Sequence, residues 1–263
     1  MSKRLRDLFQ ASHQEGRALF IPYLTGGYPT PGETVSLLLA MEAGGADVIE
    51  VGVPFTDPLA DGATIQHANH VAVQQHVTFE QCMGFVREAR AHGLRAPVLF
   101  MGYYNPVLAL GEERTVALAK AAGADGFIIV DLPPEEAGPF LAACRSHDMS
   151  FIPLVAQTTS DARIAKLAAV ADAFLYCVSV TGTTGQRAAM PTDLGDFLAR
   201  IRKQTDLPLA VGFGISTREH VVTVGKIADA AIVGSAVIGT IDAGDGSSRP
   251  ERLRDFVKEM TGR

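Results

Sequence analysis

Residues 47–62 read Asp-Val-Ile-Glu-Val-Gly-Val-Pro-Phe-Thr-Asp-Pro-Leu-Ala-Asp-Gly. Their first part, residues 47–53, is a short apolar run with several β-branched residues, which is typical of a buried strand. The Asp57-Pro58 pair then predicts a turn in a polar loop. One carboxylate, Glu50, lies inside the apolar run, and a second, Asp61, lies at the end of the loop.

These two acids allow a functional and a structural interpretation. An unpaired buried carboxylate is costly, so a fold rarely keeps one without a reason. Glu50 on a strand and Asp61 on the following loop can supply acid/base chemistry around one cavity. Alternatively, Glu50 pairs with a core partner and Asp61 caps the next helix. From these residues alone, both interpretations stay open.

Outward from this stretch, strand patterns and helix patterns alternate along the whole chain. Apolar runs predict further strands at 19–24, 97–101, 126–130, 151–155, 173–178, 209–211 and 230–233. Helical spacing predicts helices at 2–15, 35–43, 63–75, 79–92, 115–122, 135–147, 164–170, 194–203, 216–226 and 249–260. About eight repeats over this length predict an α/β fold, a (β/α)₈ TIM barrel with an extra N-terminal helix. No linker divides the chain, so we predict one domain over residues 1–263.

Composition excludes several classes of function. The net charge is −6 and no basic block is present, which argues against nucleic acid or an anionic membrane as a partner. No apolar stretch has the length of a membrane-spanning helix, and residues 1–10 lack the apolar core of a signal peptide. Cys82, Cys144 and Cys177 are odd in number and far apart, as expected for reduced thiols packed as small hydrophobic residues. We therefore expect a cytoplasmic protein.

In a barrel of this kind the chemistry lies at the carboxyl ends of the strands. The residues predicted there are Tyr23, Glu50, Asp61, Tyr103, Asp131, Tyr176 and Thr184. No lysine is among them, so a Schiff-base mechanism lacks its nucleophile. His67 and His70 are the only close histidine pair and have no matching third ligand, so we expect no metal site.

Glycines follow the late strands. They are Gly182, Gly185, Gly212, Gly214 and Gly234. In TIM barrels the loops after strands seven and eight, with the N-terminus of a short helix, often bind phosphate. Glycine lets backbone N–H groups approach an anion, and a helix beginning near Ser235 adds a favourable dipole. Each glycine alone is also an ordinary turn residue, but together they favour a phosphate site.

Several motifs, in order along nearly the whole chain, resemble those of the tryptophan synthase alpha subunit family. Besides residues 49–62, they are Pro22-Tyr23-Leu24-Thr25, Tyr103-Tyr104-Asn105-Pro106, Asp131-Leu132-Pro133-Pro134, Thr184-Gly185 with Pro191, Gly212-Phe213-Gly214 and Val233-Gly234-Ser235. The resemblance implies cleavage of indole-3-glycerol phosphate to indole and glyceraldehyde 3-phosphate without a cofactor. It also implies a pyridoxal-phosphate beta subunit as partner, in an alpha2-beta2 heterotetramer that receives the indole.

The same resemblance implies roles for single residues. Glu50 matches the catalytic acid/base, Asp61 its partner at the indole N–H, and Thr184 a loop residue that contacts Asp61. The substrate-binding residues are expected to be Tyr23, Tyr103, Tyr176 and Thr184. The phosphate-binding residues are expected to be Gly185, Phe213, Gly214, Gly234 and Ser235. The chain departs from the family pattern at Gly26, Ala63, Val180 and Thr183, which bears on loop closure and not on the chemistry.

The residues also predict how the two acids differ. Glu50, in an apolar strand, should have a raised pKa and act as a proton donor. Asp61, on a wetter loop, should stay ionised and stabilise positive charge on the ring nitrogen. The loop from Ser179 to Pro191 is long and rich in Gly and Thr, so we expect a lid with an early trypsin site at Arg187.

Two other functions fit parts of the pattern. A barrel with a late phosphate site could be an isomerase or synthase acting on a sugar phosphate, with Glu50 or Asp61 as the base. The chain could instead be mainly an interaction subunit that docks through a rim formed by Asp57-Pro58, Asn105-Pro106 and Pro133-Pro134. An isomerase or synthase would not require an indole group on its substrate, which separates it from the main prediction. An interaction subunit is separated by comparing turnover with and without its partner.

Overall fold

The computed structural model describes residues 2–178, 193–212, 214–244 and 246–263, in which strands and helices alternate as predicted. The strands are β1 (Leu19–Thr25), β2 (Ile49–Gly52), β3 (Val98–Gly102), β4 (Gly126–Ile129), β5 (Ser150–Phe151), β6 (Leu154–Ala156), β7 (Leu175–Val178), β8 (Leu209–Gly212) and β9 (Ala230–Val233). The helices are α1 (Lys3–Gln14), α2 (Thr34–Ala43), α3 (Ala63–Gln74), α4 (Phe79–Ala91), α5 (Tyr104–Leu110), α6 (Glu112–Ala121), α7 (Gly138–Ser146), α8 (Asp161–Val170), α9 (Leu194–Arg202), α10 (Arg218–Gly225), α11 (Ser235–Asp242) and α12 (Arg249–Thr261). Short 3-10 turns, Pro31–Glu33 and Gly246–Ser248, precede α2 and α12.

The strands described form one parallel sheet in the order β5-β4-β3-β2-β1-β9-β8-β7-β6. Its two edge strands, β5 and β6, are consecutive in the chain and are separated only by Ile152 and Pro153. The Ile152 N–H donates to the carbonyl of Phe127 in β4 (2.9 Å), and the Pro153 carbonyl accepts from the N–H of Tyr176 in β7 (3.1 Å). These bonds close the barrel. The strand predicted at 151–155 is therefore interrupted in the middle, because proline has no N–H to donate to a ladder.

The predicted N-terminal helix covers the amino ends of the strands. In α1, Leu5 and Phe9 are buried, and the Phe9 ring lies 5.1 Å from the ring of Phe174, which directly precedes β7. The N–H of Ser2 donates to the hydroxyl of Ser150 at the start of β5 (2.9 Å). With one end of the barrel covered in this way, the carboxyl ends of the strands remain for a functional site.

A buried aspartate also stabilises the amino end. Asp47, just before β2, accepts hydrogen bonds from Arg17 (2.9 Å), from both terminal nitrogens of Arg263 (2.9 and 2.7 Å) and from the Phe20 N–H (2.8 Å). This carboxylate is buried but fully partnered, which is the usual condition for a buried charge. Its position at the amino end indicates a role in stability.

Several local predictions differ from the structure. The sequence predicts no helix at α5, but its proline, Pro106, lies in the first turn, where the missing N–H costs nothing. Helix α7 begins at Gly138 and not at residue 135. Helix α10 begins at Arg218 and not at residue 216, because the side chain of Thr217 caps it by accepting from the His220 N–H. Helix α8 is capped by Ser160, whose side chain accepts from the Arg163 N–H.

The strand register determines which side chains face the barrel interior. Tyr23 in β1 lies opposite Glu50 in β2, which lies opposite Leu99 in β3. In β7, Tyr176 lies opposite Ala210 of β8. Because register partners in a sheet share a face and side chains alternate along a strand, residues two positions further along point the same way. Tyr23 and Glu50 therefore share the interior face of the barrel near the carboxyl ends.

Candidate active site

Glu50 is a fully buried carboxyl group without a partner. Its side chain has no exposed surface, and within the described part of the chain neither carboxyl oxygen has a hydrogen-bond partner. Burial raises the pKa of this carboxyl group well above its ordinary value of 4.5. The structural interpretation, in which Glu50 pairs with a core residue, is wrong, and the predicted upward shift of its pKa is confirmed. Burial therefore favours the protonated form of Glu50.

Asp61 lies on the loop between β2 and α3 and is held by two donors. Its Oδ2 accepts from the hydroxyl of Tyr103 (3.1 Å) and from the side-chain amide of Asn69 (3.3 Å). Burial raises the pKa of Asp61 to about 6, and the two hydrogen bonds oppose the rise. The loop is mostly exposed, as predicted, but the fold buries the Asp61 side chain at its end. Asp61 does not cap α3 either, since Gly62 occupies that position without a side-chain bond.

Two tyrosines lie over glycines beside these acids. A Cβ atom on Gly52 would overlap the ring and hydroxyl of Tyr23, and one on Gly212 would overlap those of Tyr176. The Tyr23 hydroxyl also lies 3.1 Å from the hydroxyl of Thr25. Burial, and then the nearby acidic groups of Asp61 and Glu50, raise the pKa of both phenols. Both phenols therefore stay neutral and form aromatic walls next to the two carboxyl groups.

Gly234 and Ser235 follow β9 and begin α11, as expected for an anion site at a helix N-terminus. Gly234 lies against Tyr23, since a Cβ there would be 3.7 Å from the Cβ of Tyr23, an ordinary contact. Gly214, after β8, has a φ of +80°, a conformation that favours glycine. These three residues lie at the same end of the barrel as Tyr23.

Other predicted site residues lie outside the described part of the chain. They are Thr184, Gly185 and Phe213, together with the predicted lid from Ser179 to Pro191 and its Arg187. Their roles stay predictions.

Asn69 is a site residue that the sequence reasoning missed. It is a buried amide on the apolar face of α3, whose other buried residues include Ile65, Ala68 and Ala72. An amide in the middle of an apolar helical stripe was the available signal, because a buried polar side chain requires a hydrogen-bond partner.

Near the site, the rim exposes apolar side chains. Leu59 in the loop after β2 is 87% exposed, and Leu108 in α5 is 58% exposed. The backbone N–H of Tyr104, at the start of α5, donates to the Asp131 carboxylate (2.7 Å) and so joins the loops after β3 and β4.

The described residues contain no metal cluster and no membrane-spanning helix, and the three cysteines form no disulfide. Among residues placed in the structure, no group of three His, Cys, Asp or Glu side chains could hold a metal ion. No described helix is both long enough and apolar enough to span a bilayer. Cys82, Cys144 and Cys177 are free and buried, as the sequence predicts.

Comparison with known proteins gives one consistent result. The family model described as "Tryptophan synthase alpha chain" matches residues 9–261. A tryptophan synthase alpha chain from Roseiflexus sp. (strain RS-1) is 47% identical over 259 residues, which cover 98% of this chain and 99% of the relative. The tryptophan synthase of Saccharomyces cerevisiae is 45% identical over 259 residues, and this chain spans 37% of that longer protein.

Solved structures agree with these sequence matches. A structure of Mycobacterium tuberculosis tryptophan synthase superposes with a TM-score of 0.91 at 32% identity, covering 100% of this chain and 98% of that chain. A structure of the tryptophan synthase subunit alpha from Legionella pneumophila str. Paris superposes with a TM-score of 0.90 at 34% identity, again covering 100% and 98%.

Proposed function

This chain belongs to the tryptophan synthase alpha chain family, and we propose that Glu50 and Asp61 carry out its reaction. The chain is a carbon–carbon lyase of tryptophan biosynthesis, which cleaves indole-3-glycerol phosphate to indole and glyceraldehyde 3-phosphate. The observation that supports the proposed roles best is the contrast between the two acids. Glu50 is buried without a partner, whereas Asp61 is held by two donors.

Glu50 provides the proton that makes the indole ring a leaving group. Because burial raises the pKa of Glu50 well above 4.5, the protonated form is favoured, and Glu50 gives its proton to C3 of the ring. The bond between C3 and the glycerol carbon then breaks, and its electrons return to the ring. The hydroxyl on that glycerol carbon loses its proton as the aldehyde forms, and the carboxylate of Glu50 accepts it. One residue thus serves as acid and then as base, and it returns to its starting state.

Asp61 stabilises the ring while C3 is protonated. Protonation at C3 places positive charge on the ring nitrogen, and a carboxylate at its N–H lowers the energy of that state. With a pKa of about 6, Asp61 is mostly ionised at pH 7. The rings of Tyr23 and Tyr176 bind the indole, and Tyr103 contributes its ring to the same wall.

The phosphate binds at the other end of the substrate. We assign this end to Gly214, Gly234 and Ser235, together with Gly185 and Phe213. The N–H groups at the start of α11 and the helix dipole favour an anion there. Since Gly234 lies against Tyr23, a ligand held by its phosphate at this helix would extend toward the two acids.

Alpha chains of this family pair with a beta subunit, and we propose that the rim near the site is the docking surface. It consists of Asp57-Pro58, Asn105-Pro106 and Pro133-Pro134, and the exposed Leu59 and Leu108 lie beside the first two pairs. The proposed assembly is an alpha2-beta2 complex in the cytoplasm, in which indole passes to the pyridoxal-phosphate site of the beta subunit. Replacing Leu59 and Leu108 together with serine should weaken the association measured by sedimentation but leave the turnover of the isolated chain unchanged.

The deciding assay measures indole released from indole-3-glycerol phosphate by the chain alone and with a beta subunit. Glu50→Gln and Asp61→Asn should each abolish release, while the matched control Glu88→Gln, an exposed acid on α4, should not. Indole release by the Gln and Asn variants at the rate of the natural chain would overturn the assigned roles. Turnover of a sugar phosphate that carries no indole, without indole release, would favour the isomerase alternative.

A further inference from the structure

We propose that Asn69 and Tyr103 are positioning residues that hold one oxygen of Asp61 and both ends of the loop that carries it. They leave the other carboxylate oxygen directed to the substrate. This inference rests on the proposed role of Asp61 and adds a pair of residues that act through it.

The amide of Asn69 has a fixed orientation. Its Oδ1 accepts from the backbone N–H of Phe55 (3.1 Å), and its Nδ2 donates to Oδ2 of Asp61 (3.3 Å). A backbone N–H can only donate and a carboxylate can only accept, so the amide cannot be reversed without losing both bonds. Asn69 is buried on α3, which anchors it to the barrel and not to the loop.

The hydroxyl of Tyr103 is oriented in the same way. It accepts from the backbone N–H of Ala60 (2.9 Å), so its own proton is directed to Oδ2 of Asp61 (3.1 Å). Its ring stacks on that of Phe55, with ring centres 4.9 Å apart and planes inclined by 26°. Tyr103 follows β3 and so provides a second anchor outside the loop.

Together the two residues fix both the loop and its carboxylate. They bind the loop backbone at Phe55 and at Ala60, on either side of residues 56–59, which are exposed except for the half-buried Pro58. Both side-chain bonds to Asp61 end on Oδ2, and no described residue donates to Oδ1. Oδ1 is therefore the oxygen available to the indole N–H. The two donors also lower the pKa of Asp61 against the effect of burial, which keeps it ionised near neutral pH.

Three described phenols, those of Tyr23, Tyr103 and Tyr176, interact with Asp61, and burial raises the pKa of each. Burial also raises the pKa of the Glu50 carboxyl group well above its ordinary value of 4.5. The acidic limb of the pH profile of kcat should therefore report the ionisation of Asp61 alone.

The test compares Asn69→Ala, Asn69→Asp and Tyr103→Phe with the control His70→Ala, an exposed neighbour on the same helix. We expect the acidic limb of kcat for indole release, near pH 6 in the natural chain, to move up by roughly one pH unit in Asn69→Ala and Tyr103→Phe. In Asn69→Asp it should move further, because a second carboxylate disfavours ionisation of the first. The plateau of kcat should fall roughly 10-fold to 100-fold in all three, as expected when a reacting group loses its alignment.

A merely structural role would give a different result. It would lower the midpoint of urea denaturation but leave the limb in place. An unmoved limb in both Asn69→Ala and Tyr103→Phe, with Asp61→Asn inactive, would overturn this inference alone. An active Asp61→Asn variant would instead remove the proposed role of Asp61. Tyr103→Phe retains the ring stack, and Asn69→Asp retains the acceptor for Phe55, so each keeps the test decisive if Asn69→Ala does not fold. Binding of glycerol 3-phosphate should stay within about twofold in every variant, because its phosphate lies at the other end of the site.

Discussion

Glu50→Gln should abolish turnover and at the same time remove a pH-dependent loss of stability. The substitution keeps the shape of the side chain but removes the transferable proton. Because general acid–base catalysis contributes about 10²-fold or more, turnover should fall by at least that factor. The effect on stability has the opposite sign to the effect on turnover. Because Glu50 is buried without a hydrogen-bond partner, replacing it should make the fold more stable, relative to the natural chain, as the pH rises.

The magnitude comes from the protons bound by the folded and unfolded chains. In the unfolded chain Glu50 loses its proton near 4.5, whereas burial holds the pKa of the folded group well above that value. Between these values the folded chain keeps a proton that the unfolded chain has lost, so the free energy of unfolding falls as pH rises. For one proton the fall is about 1.4 kcal/mol per pH unit. Glutamine has no such proton.

Urea denaturation of both chains at about pH 5.5 and about pH 6.5 measures this directly. The free energy of unfolding of Glu50→Gln, relative to that of the natural chain, should rise between the two conditions, by up to about 1.4 kcal/mol. Asp61 also titrates in this range, but it is present in both chains and cancels. The exposed variant Glu88→Gln is the control and should run parallel to the natural chain. Parallel curves for Glu50→Gln, or near-normal turnover with the fold intact by circular dichroism, would refute the reasoning.

Further predictions concern both ends of the barrel. Asp61→Asn should lower turnover by about 10²-fold or more while glycerol 3-phosphate still binds; a variant that no longer binds it in a titration would contradict the division of roles. Gly52→Ala should destabilise the fold by about 1–3 kcal/mol in urea denaturation, because the Tyr23 ring occupies the space of the new methyl group. Gly234→Ala meets only ordinary contacts, so its stability should change by less than about 0.5 kcal/mol, and any lost phosphate affinity measured by calorimetry would come from the site itself. Asp47→Ala should lower the free energy of unfolding by about 1–3 kcal/mol, since it leaves the buried Phe20 N–H without its acceptor, yet the kcat of the folded fraction should be normal; a large loss of kcat would mean that the amino end takes part in the chemistry.

The order of strands and helices was predictable because it is encoded locally. Apolar runs bounded by glycine, proline and aspartate marked each strand, and the periodicity of apolar residues marked most helices. The errors arose where a contact with another part of the chain overrode a local sequence rule. The strand predicted at 151–155 is interrupted at Pro153. Helix α5 forms where its first backbone N–H donates a hydrogen bond to the Asp131 carboxylate on another loop.

Within the site, the sequence by itself determined that Glu50 lies on a buried strand and that Asp61 follows it at the carboxyl end of the barrel. A repeating βα pattern is sufficient for that, since all strands of a parallel barrel point the same way. It also determined that the pKa of Glu50 rises, because an apolar strand lowers the solvation of any carboxylate within it.

Only the tertiary structure decided the environment of Asp61. In the sequence it belongs to a polar loop, and a polar loop predicts exposure. The fold instead buries it against Asn69 from α3 and Tyr103 from the end of β3, which are 8 and 42 residues away in the chain. The burial and hydrogen bonds of a side chain depend on which side chains from other parts of the chain pack against it. Local sequence patterns do not encode those contacts. The sequence alone therefore identified both acids, whereas the fold determined which one lacks a partner and which one is held in place.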